Sequence, residues 1–358
     1  MRISIVAFLL ACFLAGTLPA QEEGLSISET TDTLIVPPQA QESYNEGIAS
    51  FKSGQYKQAL SKFDKAIEIE PRWIKPYINR AAVKFELKDH EGALADYDYL
   101  LQNDTLNTKD VYYYQKGKIL LEQGKQDAAI ASYALAIEAN PKEPKYYYER
   151  GVIEFDAKKY EDAVTDYNMA IRIKPNYAFA YNDRASAKRQ LGDLDGAIQD
   201  YNKAIVADPK MTFAYNNLGS AKKKNGDFKG AVEEYNQAIR LKPDYYIAYN
   251  NRGSAKFELA DYKGAIQDFT KAIELKSDYV FAYNNRASAK YKLKDYKGAI
   301  EDCDKAISMD TSYGFAYLNR GISKEMIRDA EGACNDWKKA AELGLKNAQA
   351  YIENSCND

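Results

Sequence analysis

Residues able to make or break bonds are scarce in this chain: its 358 residues include one histidine, His90, and four cysteines. A catalytic histidine needs a nucleophile or an orienting carboxylate within reach. His90 instead takes the place that equivalent segments fill with Tyr56, Tyr160, Phe228, Tyr262 or Tyr296, so it reads as a packing residue. Cys12 lies in an apolar leader, and Cys303 stands where neighbouring segments put a large ring, so both read as small apolar residues. Cys334 and Cys356 could form a disulfide in an oxidising compartment, although spacing alone does not fix connectivity. The sequence shows no paired nucleophile and base, no phosphate-cradling loop and no metal-ligand cluster. The expectation is a protein that is not an enzyme, with no catalytic residue, no metal and no cofactor.

Two other patterns carry chemistry of a non-covalent kind. Arg80, Arg150, Arg184, Arg252, Arg286 and Arg320 are each followed, at one constant spacing, by Asp96, Asp166, Asp200, Asp268, Asp302 and Asp336. Glu46 with Lys62 reverses the signs, and where the Arg is replaced (Lys116, Leu218) the Asp is replaced too (Ser132, Glu234). This coupling predicts structural ion pairs between helices; an anion-binding arginine ladder is the competing reading. The second pattern is amides: Asn182, Asn216, Asn250 and Asn284 in one column, and Asn79, Asn217, Asn251, Asn285 and Asn319 in the next. A carboxamide donates to a peptide carbonyl and accepts from a peptide N–H, so such columns suit an extended chain of any sequence. Alternatively, they tie neighbouring segments together.

The columns exist because the chain repeats. YNNRGSAK from Tyr249 to Lys256 returns 34 residues later as YNNRASAK from Tyr283 to Lys290. In that frame nine units run over residues 40–73, 74–109, 110–143, 144–177, 178–211, 212–245, 246–279, 280–313 and 314–347, the second longer by two residues. Each unit reads as two helices. A turn such as Gly192-Asp193 or Gly226-Asp227 supplies a residue tolerant of positive φ and then a helix cap, and Pro71, Pro141, Pro175, Pro209 and Pro243 stop the second helix. Position 8 of each unit is Gly or Ala, and position 20 is always Ala, from Ala59 to Ala333. Aromatics at position 4 (Tyr77 to Tyr317) and at position 24 (Phe63 to Trp337) fill the remaining volume as core. A lone helix pair cannot bury its apolar stripe, so the units must stack.

The 34-residue helix pairs, the small residues at positions 8, 20 and 27 and the Pro at 32 resemble the tetratricopeptide repeat (TPR) family. The closing segment, Ala333 to Gly344 and then Ala348 to Cys356, resembles exported Bacteroidetes arrays of this family. The resemblance implies an all-α fold: a right-handed α-solenoid superhelix of nine helix-turn-helix units with a short capping segment, 348–358. It also implies a concave groove and a non-catalytic scaffold that holds a peptide or assembles partner proteins. Positions 2, 5, 9 and 12 of each first helix form the stripe expected to line that groove. The expected lining residues are the amide columns together with Tyr114, Tyr148, Phe179, Phe213, Phe281 and others of that stripe. The amide column resembles the asparagine ladder of O-GlcNAc transferase, interrupted here by Gln115, Glu149 and Asp183. The Lys at 5 with Asn at 9 that binds chaperone tails occurs in no unit. Glycan binding is the alternative, since Tyr, Phe and Asn also suit sugar faces and hydroxyls.

The ends and the charge set the compartment and narrow the partners. Arg2, the uncharged run Ile3 to Leu18 and then Pro19-Ala20-Gln21 read as a signal peptide, residues 1–20, cleaved after Ala20, so export to the periplasm or beyond is expected, with no membrane span in the mature chain. Residues 21–39, acidic and rich in Ser and Thr, read as a disordered tether. Arg2 is the one base and Glu22, Glu23, Glu29 and Asp32 are the four acids before residue 40, which leaves 48 charges of each sign among residues 40–358. A body with zero net charge has no bulk field for phosphates, which argues against nucleic acid as partner.

Overall fold

A computed structural model describes residues 34–105 and 108–356. The leader (1–20) and most of the tether fall outside the described residues. The described residues form nineteen α-helices and no strand. Two compact units divide at Pro175. The first holds α1 (Pro38–Lys52), α2 (Tyr56–Ile69), α3 (Ile74–Glu86), α4 (His90–Asn103), α5 (Lys109–Glu122), α6 (Gln126–Ala139), α7 (Pro144–Asp156) and α8 (Tyr160–Ile173). The second holds α9 (Ala178–Gln190), α10 (Leu194–Ala207), α11 (Thr212–Lys224), α12 (Phe228–Leu241), α13 (Tyr246–Glu258), α14 (Tyr262–Leu275), α15 (Val280–Lys292), α16 (Tyr296–Met309), α17 (Gly314–Met326), α18 (Ala330–Glu342) and α19 (Ala348–Ser355). Within each unit every helix packs on its sequence neighbours, and α1–α2, α3–α4 and their successors are antiparallel hairpins: an α-solenoid arrangement of TPR helix pairs.

One backbone device builds every hairpin. The residue at position 15 has positive φ in all nine pairs: Gly54, Gly124, Gly192 and Gly226, and also Lys88, Lys158, Ala260, Lys294 and Arg328. The left-handed residue ends the first helix, and where Asp follows, its carboxylate caps the second. Asp193, Asp227, Asp261 and Asp295 each accept from the backbone N–H three residues on, at 2.8–3.0 Å. The N–H is that of a glycine, and a Cβ on Gly196 would lie 2.1 Å from the Asp193 carboxylate. The second helices end two residues before Pro71, Pro141, Pro175, Pro209 and Pro243, as the missing N–H requires.

The core lies between the two helices of each pair. Ala at position 20 has no exposed surface in any pair, and the ring at position 24 is buried throughout, with Cys303 in its place in α16. Approach is close: a Cβ on Gly219 would stand 2.8 Å from Tyr235. Position 4 does more than fill volume. Tyr77, Tyr147, Tyr215 and Tyr283 send their hydroxyls to the carbonyls of Pro71, Pro141, Pro209 and Ser277 at 3.0–3.4 Å. Each such bond ties a first helix to the turn before it.

The ends differ from expectation. The first helix begins at Pro38, not Ala40, and Leu34 and Val36 pack beside Ala40, Ala66 and Trp73. The end of the segment read as a disordered tether is therefore ordered, because its apolar residues cover surface that no preceding pair covers. At the other end Tyr351 of α19 stacks on Trp337 at 5.2 Å, and a disulfide joins Cys334 to Cys356. No helix of the described residues is long and apolar enough to cross a membrane.

Candidate functional site

The six Arg–Asp pairs meet as bidentate bonds between the two helices of one hairpin. Arg184 Nε and Nη2, for example, donate to the two oxygens of Asp200 at 2.8 and 2.6 Å. The other five, Arg80–Asp96, Arg150–Asp166, Arg252–Asp268, Arg286–Asp302 and Arg320–Asp336, have the same geometry. The third guanidinium nitrogen reaches back one pair, from Arg80 to Asp64, Arg252 to Asn236, Arg286 to Thr270 and Arg320 to Asp304, at 2.6–3.0 Å. These four arginines thus join their own hairpin to the preceding one, and each guanidinium lies over its position 4 tyrosine, 5.1 Å from the Tyr77 centroid for Arg80. The Glu46–Lys62 pair with reversed signs also forms.

A third member was not legible. Lys84, Lys188, Lys256, Lys290 and Lys324, one turn beyond each arginine, hold the same aspartates at 2.7–2.9 Å. Burial raises the carboxyl of Asp200, but hydrogen bonds from Arg184 and Lys188 more than offset this and hold it below its ordinary value. These cations are spent inside the fold, so the column does not offer an anion-binding ladder.

The amide columns meet each other. Asn217, Asn251, Asn285 and Asn319 donate Nδ2 to the Oδ1 of Asn182, Asn216, Asn250 and Asn284 in the preceding pair, at 2.8–3.2 Å. Asn79 donates to the Tyr44 hydroxyl at 3.1 Å. The first column, expected to line the groove, is in fact buried: its amides link repeats because the next repeat covers them. Tyr114 is likewise core, packed on Tyr133 and Tyr146, and Tyr148 lies partly exposed beside Tyr167. The second column stays partly exposed. For Asn217, Asn251 and Asn285 one amide hydrogen is used, and the other and the oxygen Oδ1 have no partner among the described residues.

Beside these amides, Phe179, Phe281 and Phe315 are about half exposed (48%, 49% and 48%), and Phe213 packs against Phe179. Tyr246, Tyr279, Phe281, Tyr313 and Phe315 form an unbroken run of ring contacts with centroids 4.9–5.9 Å apart. His90 lies beside Phe85, with Nδ1 buried and without a hydrogen-bond partner. Burial pushes the Cys303 thiol far above its usual range, which leaves it unreactive in place.

Models of the tetratricopeptide repeat match residues 40–73, 114–178, 246–279 and 280–313, and a TPR repeat model matches 185–226 and 220–260. The chain belongs to the tetratricopeptide repeat family. A TPR repeat-containing protein of Methanocaldococcus jannaschii is 25% identical over 118 residues, which is 33% of this chain and 20% of that protein. Hsp70-Hsp90 organizing protein 3 of Arabidopsis thaliana is 29% identical over 106 residues, 30% of this chain and 19% of that one. The chain therefore spans only a fifth or so of these relatives. A tetratricopeptide repeat protein from Parabacteroides merdae superposes with a TM-score of 0.57 at 19% identity, covering 69% of this chain and 99% of that one. At that identity the likeness shows the fold. Proteins of the family are generally non-catalytic interaction scaffolds that bind proteins or peptides.

Proposed function

We propose that this chain is a non-catalytic scaffold that holds an extended peptide segment of a partner protein along the first-helix face of its second unit. The observation that carries the reading is the surface amide column. Asn217, Asn251 and Asn285 recur once per repeat, and among the described residues each keeps one donor and one acceptor free after bonding the preceding repeat. A peptide backbone presents that complement at regular intervals, whatever its side chains. The exposed phenylalanines alongside add apolar contact. The Arabidopsis relative is by its name an organizer of two other proteins, which agrees with a scaffold reading.

The proposed site of action is the cell envelope or outside. Two features support this: the leader pattern of Ile3 to Leu18 before Ala20, and the Cys334–Cys356 disulfide, which persists in oxidising compartments. A mature N-terminus at Gln21, read by mass spectrometry of native protein, is the expected result; an intact Met1 in all recovered protein would contradict it.

Glycan binding is a second reading, favoured by the half-exposed faces of Phe179, Phe281 and Phe315, on which sugar rings could stack. Parallel peptide and glycan arrays separate the two. Retention on unrelated peptides and on no glycan is expected; the reverse would overturn the peptide reading.

A further inference from the structure

Position 12 closes the first-helix stripe of positions 2, 5 and 9, beside the position 6 amides, and it changes character along the chain. In the first unit it is Phe51, Phe85, Leu121 and Phe155; in the second it is Arg189, Lys223, Phe257, Tyr291 and Glu325. Cations stand there in two consecutive repeats only. Nearby cations are consumed: Arg184 and Lys188 hold Asp200, and Lys222 holds Glu234 at 2.6 Å.

Arg189 and Lys223 are not consumed. Both are partly buried, and neither makes an ion pair among the described residues. The Arg189 guanidinium lies near the hydroxyls of Tyr201 and Tyr235 and draws both toward ionisation, against the burial that raises them. Ser186 and Ser220 give their own protons to the backbone carbonyls of Asn182 and Asn216, so the tyrosine hydroxyls donate to the serines, at 2.9 and 3.2 Å, and the cations are the remaining donors there. Lys223 Nζ donates to Ser254 Oγ at 3.0 Å, so among the described residues its hydrogen bond is to a neutral group and two N–H donors remain. Burial pushes its ammonium pKa down, and Glu258 acts on it only at range. Asp183, on the same helix as Arg189, is engaged by Asn182. A half-buried cation without a contact ion pair is costly, and an anionic ligand would offset that cost.

We propose that Arg189 and Lys223, at the same position of two consecutive repeats, form a carboxylate-binding site that takes acidic side chains of the bound peptide. The proposal rests on the peptide-holding reading and deepens it. Alternate side chains of an extended chain share one face, so a segment with Glu or Asp at alternate positions presents its carboxylates to both cations while its backbone meets the amides. Guanidinium and ammonium both suit carboxylate oxygens as charge-assisted donors.

The test uses the full mature chain and two labelled synthetic peptides, one of alternating Glu and Ser and one of alternating Gln and Ser, with affinity read by fluorescence anisotropy. The acidic peptide should bind about tenfold more tightly or better, with a preference that shrinks in high salt. R189Q with K223Q should erase the preference while leaving the Gln peptide bound, and K224Q, which changes an exposed cation beside the stripe, should keep it. Equal binding of both peptides by the wild type, or a preference that survives R189Q with K223Q, overturns the carboxylate site and leaves the backbone-holding reading standing. Binding of neither peptide overturns both.

Discussion

The carboxyl of Glu154 in α7 lies within electrostatic reach of that of Asp166 in α8, at the place where five other hairpins set a lysine against the aspartate. Two buried carboxylates cannot both ionise cheaply. Burial first, then the charge of Asp166, pushes Glu154 up to about 7, with Arg150 pulling the other way. Its Oε2 is buried without a partner.

The consequence for stability has a definite sign. A glutamate titrating near 4.3 when unfolded and about 7 when folded makes the native state hold the extra proton in between. The first unit should therefore lose stability as pH rises from about 4.3 to 7 and stay lowered above that. Glu154→Gln should flatten this slope. Glu154→Lys, which restores the lysine of the other hairpins, should gain about 1–3 kcal/mol at pH 8 and less at pH 5. Urea midpoints across pH check this; a destabilised Glu154→Lys at pH 8 would contradict it.

Asp200 carries the opposite dependence. Its carboxyl is held below the ordinary value by Arg184 and Lys188, so its contribution is fully present above about 3.9 and is lost as pH falls through the folded value. Asp200→Asn strands both cations and should cost the second unit about 3–5 kcal/mol at pH 7, with the difference from wild type shrinking in acid. Equal urea midpoints at pH 7 would refute the structural role.

The position 15 turn stores strain where the residue is not glycine. Ala260 and Lys294 have φ of 60° and 63°. A side chain there costs about 1–2 kcal/mol, partly offset by the greater unfolded-state freedom of glycine. Ala260→Gly and Lys294→Gly should each stabilise by about 0.5–1 kcal/mol, and Gly192→Ala should destabilise by a similar or larger amount. Denaturation midpoints moving the other way would show that the turn is not limited by φ.

The disulfide holds the last helix. Cys356→Ser should lower stability by up to about 3 kcal/mol through loop entropy and expose α19 to hydrogen exchange first. The mature chain, unfolded without reductant, should yield one alkylatable thiol, from Cys303; three would mean that the bond does not form.

What could be read in advance follows from the physics of repetition. The Arg80–Asp96 pair was legible because each change of arginine along the repeats came with a change of aspartate. Lys84 was not, because a lysine in a helix reads as surface until an aspartate is known to be buried one turn away. The burial of Asn182 depends on the next repeat covering it, and the packing of Leu34 depends on an uncovered first hairpin; neither is a local property. The positive φ of Ala260 is dictated by the turn and leaves no mark in residue type. Arg189 and Lys223 could have been found by following the position 12 column, where they interrupt a run of apolar residues.

On the proposed function, the free amide groups of Asn217, Asn251 and Asn285 hold a peptide by its backbone. The direct measurement takes the tightest peptide from an unbiased display library and compares its Kd with that of the same sequence N-methylated at alternate backbone nitrogens. Methylation removes N–H donors and spares every side chain, so affinity should fall by about tenfold or more, and the Asn217→Ala, Asn251→Ala, Asn285→Ala variant, still helical, should no longer distinguish the two. Equal affinity of the wild type for both peptides would contradict the claim.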